Sequence, residues 1–254
     1  TPTNAVAAGY LTANHHPVTF VGWMAWGLPL VVILLGVSGW MLTRGIPVAP
    51  EAGPLLEAPR DPLNRGDLWV VGTGAVTVAL WMTDWWHRLP AATIALIPVA
   101  VLFLAGILTA GDLRRLDWDV LLLIAVGFAL GSALEKSGLA GDVAQILSRG
   151  DQAWQVALSL GGLALFLSVF MSNTATASLL VPIAGSVGVM DTTHAVLLTA
   201  FCCSLGMSLP VSTPPNALVH SRGWVQTRDL MIFGTLISLL ALGVMVAVVA
   251  AVGR

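Results

Sequence analysis

The sequence predicts an all-α polytopic membrane protein. Of its 254 residues, 57% are hydrophobic and only 9% are charged, whereas soluble domains carry about 25% charged residues. Several apolar segments reach the length of about 20 residues that a helix needs to cross a hydrocarbon core of about 30 Å. Two further apolar segments are interrupted by uncharged polar residues, which indicates broken helices.

The N-terminal part of the sequence contains one complete span and one long polar segment. Residues 1–13 are expected to form a Pro/Asn turn followed by a short apolar run. Residues 18–42 are long enough to span the membrane, with a kink at Pro29. Residues 44–67 are rich in proline and mixed charges and predict a solvent-exposed linker. Because the chain opens on Thr-Pro-Thr-Asn without an initiator Met, we expect it to be part of a longer protein.

Three more apolar segments follow the linker, over residues 68–86, 91–110 and 120–134. Tryptophans crowd the end of the first, as is typical of side chains at a membrane interface. Gly127 and Gly131 lie four residues apart on the last of these segments and allow close helix packing. Residues 142–155 then predict an amphipathic connection.

The first polar interruption is Met-Ser-Asn-Thr-Ala-Thr-Ala-Ser, at residues 171–178. The apolar segments on either side, 156–170 and 179–189, are each too short to cross a bilayer alone. Polar groups at membrane depth are tolerated only where protein buries them or where they line a water-filled cavity. The interruption is therefore either a turn at the surface or the tip of a re-entrant hairpin over residues 154–189.

The second interruption is Pro-Val-Ser-Thr-Pro-Pro-Asn, at residues 210–216. Two consecutive prolines cannot continue a helix, because each lacks an N–H and restricts the residue before it. We therefore predict a helix over residues 193–221 that is broken at residues 212–216, followed by a last span over residues 230–252.

A short internal repeat connects the start of the chain to this second interruption. Thr1-Pro2-Thr3-Asn4-Ala5 resembles Thr213-Pro214-Pro215-Asn216-Ala217. Broken helices at corresponding positions of two halves point to a transporter site near the midplane, where unwound carbonyls coordinate Na⁺ and helix N-termini face an anion. The alternative is ordinary helix packing through small polar side chains, with a proline kink.

Charged and nucleophilic residues give no sign of catalysis. No apolar segment holds a central carboxylate, which argues against a proton relay, and no protease, hydrolase or phosphate-binding motif occurs. Asp84 and Glu135 lie at segment ends, and we expect Asp84 at the membrane interface and Glu135 in solvent. Cys202 and Cys203 are expected to pack as small apolar residues. We expect no catalytic residues, hence not an enzyme, and no nucleic-acid partner. Neutral donors that bind a dianion need a compensating cation, which predicts coupling to Na⁺.

Basic residues indicate an orientation if residues 154–189 return to their own side and residues 193–221 cross. One side then carries Arg44, Arg60, Arg65, Arg114, Arg115, Arg222 and Arg228. The other carries Arg88, Lys136, Arg149 and Arg254. The first side, which includes the linker, is predicted to be cytoplasmic because basic residues favour that side.

The two interruptions together resemble the divalent anion/sodium symporter (DASS) family. Ser172-Asn173-Thr174-Ala175-Thr176-Ala177, followed by Leu-Leu-Val-Pro-Ile, is similar to the family's Ser-Asn-Thr signature. Residues 209–217 are similar to its partner loop, and residues 1–5 to the equivalent loop of the first repeat, although with Pro-Thr-Asn instead of Pro-Pro-Asn. The resemblance covers the whole chain and corresponds to about the second half of a family member.

The resemblance implies an elevator-type transporter built from inverted repeats, of which this chain carries the second, and a homodimer in a bacterial inner membrane. Residues 1–43, the end of the first repeat and the following helix, would belong to the moving transport domain with residues 153–254. Residues 44–67 would be a cytoplasmic linker, and residues 68–152 would form the scaffold and dimer interface.

The resemblance also implies a function and a site. The function is Na⁺-coupled transport of small dicarboxylates such as succinate, malate or fumarate. The alternatives are a sulfate or tricarboxylate carrier or a sodium-independent exchanger of the same fold, and, outside transport, a channel or structural membrane subunit. The implied substrate-binding residues are Thr3, Asn4, Asn173, Thr174, Thr213 and Pro214. The implied Na⁺ ligands are Ser168, Met171, Ser172, Asn173 and Ser212.

Overall fold

The structure is a computed structural model that describes residues 1–45, 64–116, 118–148, 150, 152–210, 212–221 and 225–252. Within these residues it is helical and contains no strand. The helices are α1 Pro2–Ala13, α2 Phe20–Gly45, α3 Arg65–Met82, α4 Asp84–His87, α5 Ala91–Leu104, α6 Ala110–Arg114, α7 Trp118–Lys136, α8 Leu139–Leu147, α9 Ala153–Phe170, α10 Asn173–Gly185, α11 Thr192–Ser204, α12 Pro214–Ser221 and α13 Thr227–Val252.

In the part of the chain that the structure describes, three helices are long and apolar enough to cross a membrane: α2, α9 and α13. This confirms the predicted all-α membrane protein. It also changes one expectation, because α9 begins at Ala153 and its 18 residues suffice for a span. Segment length alone therefore no longer separates a re-entrant hairpin from a spanning helix at this position.

Residues 18–28 and 43–117 form one compact unit. In it α3 packs against α5, and Asn64 caps the start of α3. The Asn64 side chain accepts a hydrogen bond from Asp67 N at 2.9 Å, and the Asp67 carboxylate accepts one from Asn64 N at 2.8 Å. The Asp84 carboxylate, expected at the interface, accepts from Phe20 N at 2.7 Å and so caps the start of α2. Most of the predicted linker, residues 46–63, lies outside the described residues.

Several predicted boundaries move because the backbone turns where hydropathy does not change. The segment predicted over residues 91–110 ends at Leu104, since Gly106 adopts a left-handed backbone with φ of 70° and starts a turn. The segment predicted over residues 68–86 divides at Thr83 into α3 and α4. The amphipathic connection predicted over residues 142–155 overlaps α8, which begins earlier, after the left-handed Gly138, and it also overlaps the start of α9.

Residues 1–17, 29–42 and 118–254 form the second compact unit, and α10 and α11 lie at its centre. Helix α10 contacts α1, α7, α8, α9 and α11, and α11 is also packed against α1, α9 and α13. All nine residues of α11 from Ala195 to Cys203 are buried, including both cysteines, which are free. Glu135, expected in solvent, is exposed but accepts a hydrogen bond from the Tyr10 hydroxyl at 2.6 Å.

Candidate functional site

The first polar interruption forms a two-residue connection between helices α9 and α10. Met171 and Ser172 have extended backbones, and α10 begins at Asn173. The Ser172 hydroxyl caps α10 by accepting from Ala175 N at 3.2 Å. Asn173 and Thr174 consequently lie in the first turn of α10, where backbone N–H groups lack helical partners and the helix dipole favours an anion.

The second interruption lies upstream of its predicted position. Helix α11 ends at Ser204 and α12 begins at Pro214, so residues 205–210, 212 and 213 are unwound, and the break begins well before the predicted one at residues 212–216. Proline is tolerated in the first turn because the missing N–H has no helical partner there. The Pro/Asn turn predicted at the start of the chain is wrong for the same reason: Pro2 is tolerated as the first residue of a helix, and α1 begins there.

Ser168 joins the hairpin to the broken helix. It is completely buried, and its hydroxyl donates to the Asn173 Oδ1 atom at 2.7 Å and to the Cys203 carbonyl at 2.6 Å. We call these three groups the Ser168 cluster. A hydroxyl carries a single proton, so it satisfies one acceptor fully, and the other oxygen keeps the capacity to bind a further donor or a cation.

The close approach at this cluster depends on a glycine in the unwound segment. A Cβ atom built on Gly206 would lie 2.6 Å from Ser168 Cβ and 3.0 Å from the Ser168 carbonyl carbon, a separation that real side chains do not adopt. A larger residue at position 206 would therefore push the end of α11 away from α9.

Asn216 and Ser212 hold the downstream half of the unwound segment. The Asn216 amide donates to the Met207 carbonyl at 2.8 Å, and the buried Ser212 hydroxyl donates to the Leu209 carbonyl at 2.6 Å. The Thr213 hydroxyl accepts from Asn216 N at 3.4 Å at the start of α12. Pro214 is the first residue of α12, and nothing is described of its side chain.

The first turn of α1 lies beside the end of α11. The Thr1 and Ser204 hydroxyl oxygens are 3.5 Å apart, and Thr3 is buried. The Asn4 Oδ1 atom is also buried, and none of the described residues gives it a hydrogen bond. An acceptor left in this state costs about 1–3 kcal/mol, so such an atom calls for a ligand.

The structure brings two of the predicted site residues, Ser168 and Asn173, to the end of α11, beside the first turn of α1. Ser168 and Asn173 are in direct contact, whereas Met171 and Ser172 form the exposed turn. Thr174 and Thr213 are half-buried. No residue from 168 to 176 or from 203 to 217 is charged, so the oxygens here come from hydroxyls, amides and backbone carbonyls. Gly206 and the Cys203 carbonyl did not follow from the sequence, because only their tertiary neighbours distinguish them.

Comparison with known proteins shows the family of the chain. Residues 1–197 match the sequence model of the CitMHS family, which is described as a citrate transporter. The chain is 28% identical over 281 positions to proteins named sodium-dependent dicarboxylate transporter SdcS, from Staphylococcus saprophyticus subsp. saprophyticus and from Staphylococcus aureus. These alignments cover 98% of this chain and 54% of each relative, so the chain spans about half the length of the curated relatives it matches.

Proposed function

Because this chain belongs to the CitMHS citrate transporter family, which is of the DASS type, and is a multi-pass integral membrane protein, we propose that it forms part of a Na⁺-coupled secondary transporter of small dicarboxylates. The observation that carries the proposal is the Ser168 cluster. It places an uncharged amide at the tip of a helical hairpin against the unwound end of a second helix.

The chemistry of these residues suits an anion that must be released again. Fixed Arg or Lys side chains would hold a dicarboxylate too tightly, whereas the Asn173 amide, the Thr174 hydroxyl and the first N–H groups of α10 offer neutral donors. Thr213 and Pro214 at the start of α12 would line the same site from the opposite helix.

Na⁺ would supply the positive charge that these side chains lack. The proposed ligands are oxygens of Ser168, Met171, Ser172, Asn173 and Ser212, with carbonyls of the unwound segment beside them. The Asn173 side chain would contribute to both sites, so that binding of either solute favours binding of the other by the same free energy.

Thr3 and Asn4 would border the neighbouring part of the site. The support is the buried Asn4 Oδ1 atom, which has no donor among the described residues. A cation or a substrate hydroxyl at this position would satisfy it.

The transport cycle we propose is an elevator movement within a homodimer, with residues 68–152 as scaffold and residues 1–43 and 153–254 in the moving part. Its support is the resemblance of the interruptions to inverted-repeat transporters. A tricarboxylate carrier is the second candidate, because the matching family is described by citrate transport while the relatives are named for dicarboxylates.

Uptake by the full-length protein in proteoliposomes tests the proposal. We expect radiolabelled succinate to accumulate under an inward Na⁺ gradient and not under a K⁺ gradient of equal size. Unlabelled citrate and sulfate, added separately as competitors, distinguish the dicarboxylate carrier from the tricarboxylate and sulfate alternatives. Equal uptake in Na⁺ and K⁺ would refute sodium coupling, and flux that does not saturate would favour a channel.

A further inference from the structure

Side chains from several helices hold the unwound segment, residues 205–210, 212 and 213, and one of these helices, α13, carries none of the proposed ligands. The Ser168 hydroxyl of α9 donates to the Cys203 carbonyl. The Asn216 amide donates to the Met207 carbonyl, and the Ser212 hydroxyl donates to the Leu209 carbonyl. Between them, the Leu205 carbonyl accepts from the hydroxyl of Ser238, on α13, at 2.5 Å. By length and composition, α13 is an apolar helix that could span a membrane.

The approach of α13 to the unwound segment requires a glycine. A Cβ atom built on Gly234 would lie 2.7 Å from the Met207 carbonyl oxygen and 3.0 Å from Ser208 Cα. Both are backbone atoms and cannot rotate away, so any side chain at position 234 would displace the segment itself. By contrast, a Cβ atom on Gly243, further along the same helix, meets nothing within 4 Å.

Two hydroxyl groups of α13, those of Thr235 and Ser238, add hydrogen bonds beside this contact. The Thr235 hydroxyl donates to the Ser208 hydroxyl at 3.0 Å, and the buried Ser238 hydroxyl also reaches the Gly234 carbonyl of its own helix at 2.7 Å. Ser238 lies on the same face of α13 as Gly234 and Thr235, because it is four and three positions away from them.

Ser208 is buried, but one side of it is open. A cavity of about 400 Å³ adjoins it, lined by Ser208, Thr235 and Ser238 together with apolar side chains of α9 and α13. Because this side of the segment is open, the hydroxyl contacts from α13 restrict the position of Ser208 where neighbouring side chains do not.

We propose that Gly234, Thr235 and Ser238 are positioning residues for the Na⁺ site. They act on the path of residues 205–208, and through it on the Cys203 carbonyl and its contact with Ser168. Binding groups keep productive geometry only when surrounding residues hold them within a few tenths of an ångström, so movement of this segment weakens ion binding before it unfolds the protein. The inference rests on the proposed function.

Two pairs of variants in the full-length protein test it. Gly234→Ala is compared with Gly243→Ala, and Thr235→Val, which keeps the shape but loses the donor, is compared with Thr235→Ser, which keeps the hydroxyl. Two quantities are measured: the Na⁺ concentration at half-maximal succinate uptake, and the rise in Tm that Na⁺ produces without substrate.

We expect Gly234→Ala and Thr235→Val to raise the half-maximal Na⁺ concentration by about fivefold to tenfold, the equivalent of one lost hydrogen bond. The Na⁺-induced rise in Tm should shrink in parallel, while Gly243→Ala and Thr235→Ser remain close to wild type. A lower maximal rate or lower Tm with unchanged Na⁺ dependence would show that α13 only packs, and would overturn the inference.

If Gly234→Ala does not fold, the Thr235→Val and Thr235→Ser pair decides in the same way. A wild-type protein without any Na⁺ effect on uptake or Tm would refute the proposed function itself, and this inference with it. The two failures are therefore distinguished by the wild-type measurement alone.

Discussion

Replacing Ser168 with alanine removes the one hydroxyl that contacts both Asn173 and the Cys203 carbonyl, at 2.7 and 2.6 Å. The Ser168 side chain is 0% exposed. A lost hydrogen bond costs about 1 kcal/mol, and a buried acceptor left without a donor costs about 1–3 kcal/mol. A loss of about 1–3 kcal/mol in the coupled binding of Na⁺ corresponds to about 5-fold to 150-fold in affinity. We therefore expect the half-maximal Na⁺ concentration to rise within this range.

The assay is the Na⁺ dependence of initial succinate uptake in proteoliposomes, corrected for the amount of inserted protein. Ser159→Ala is the matched control, because Ser159 also lies on α9 and its hydroxyl donates to the Leu147 and Val156 carbonyls, both at 3.0 Å. That serine contacts no member of the Ser168 cluster. An unchanged Na⁺ dependence in Ser168→Ala, or an equal shift in both variants, would refute the role of the cluster in ion binding.

Three further predictions follow from other contacts. Asn173→Ala should abolish Na⁺-dependent succinate uptake without preventing membrane insertion, and wild-type uptake by this variant would contradict the assignment of the site. Gly206→Ala should strongly reduce uptake, because its Cβ atom would collide with α9, while Gly162→Ala, whose Cβ atom meets nothing within 4 Å, serves as the control that should retain uptake. Asp84→Ala should destabilise the protein by about 1 kcal/mol by removing the cap on Phe20 N, measured as a lower Tm in detergent; an unchanged Tm would show that the cap contributes nothing.

The positions of the helices could largely be predicted from the sequence, since hydropathy and length are local properties. The turn at Ser172 and Asn173 was also visible, because a polar run within apolar surroundings has few explanations in a membrane. The end of α11 does not follow from the hydropathy pattern. The prolines at positions 214 and 215 were interpreted as the interruption, whereas they begin the next helix, and α11 ends ten residues earlier at Ser204.

The remaining part of the site depends on contacts between distant positions. Thr235 and Ser208 are 27 residues apart, and Ser238 and Leu205 are 33 apart. In the sequence, Gly234, Thr235 and Ser238 are small residues in an apolar helix, a composition that is common wherever membrane helices pack closely. Only the fold shows that they face an unwound backbone. The assignment of substrate and Na⁺ ligands stays a prediction until uptake is measured.

The two cysteines of this chain turn its central helix into a chemical reporter. Cys202 and Cys203 are free and 0% exposed, and the Cys203 carbonyl belongs to the Ser168 cluster. A membrane-permeant thiol reagent should therefore leave both unmodified as long as the end of α11 stays closed. Their rate of alkylation, followed by mass spectrometry with and without Na⁺ and succinate, would report how often the binding region opens in the unaltered protein, with no label introduced.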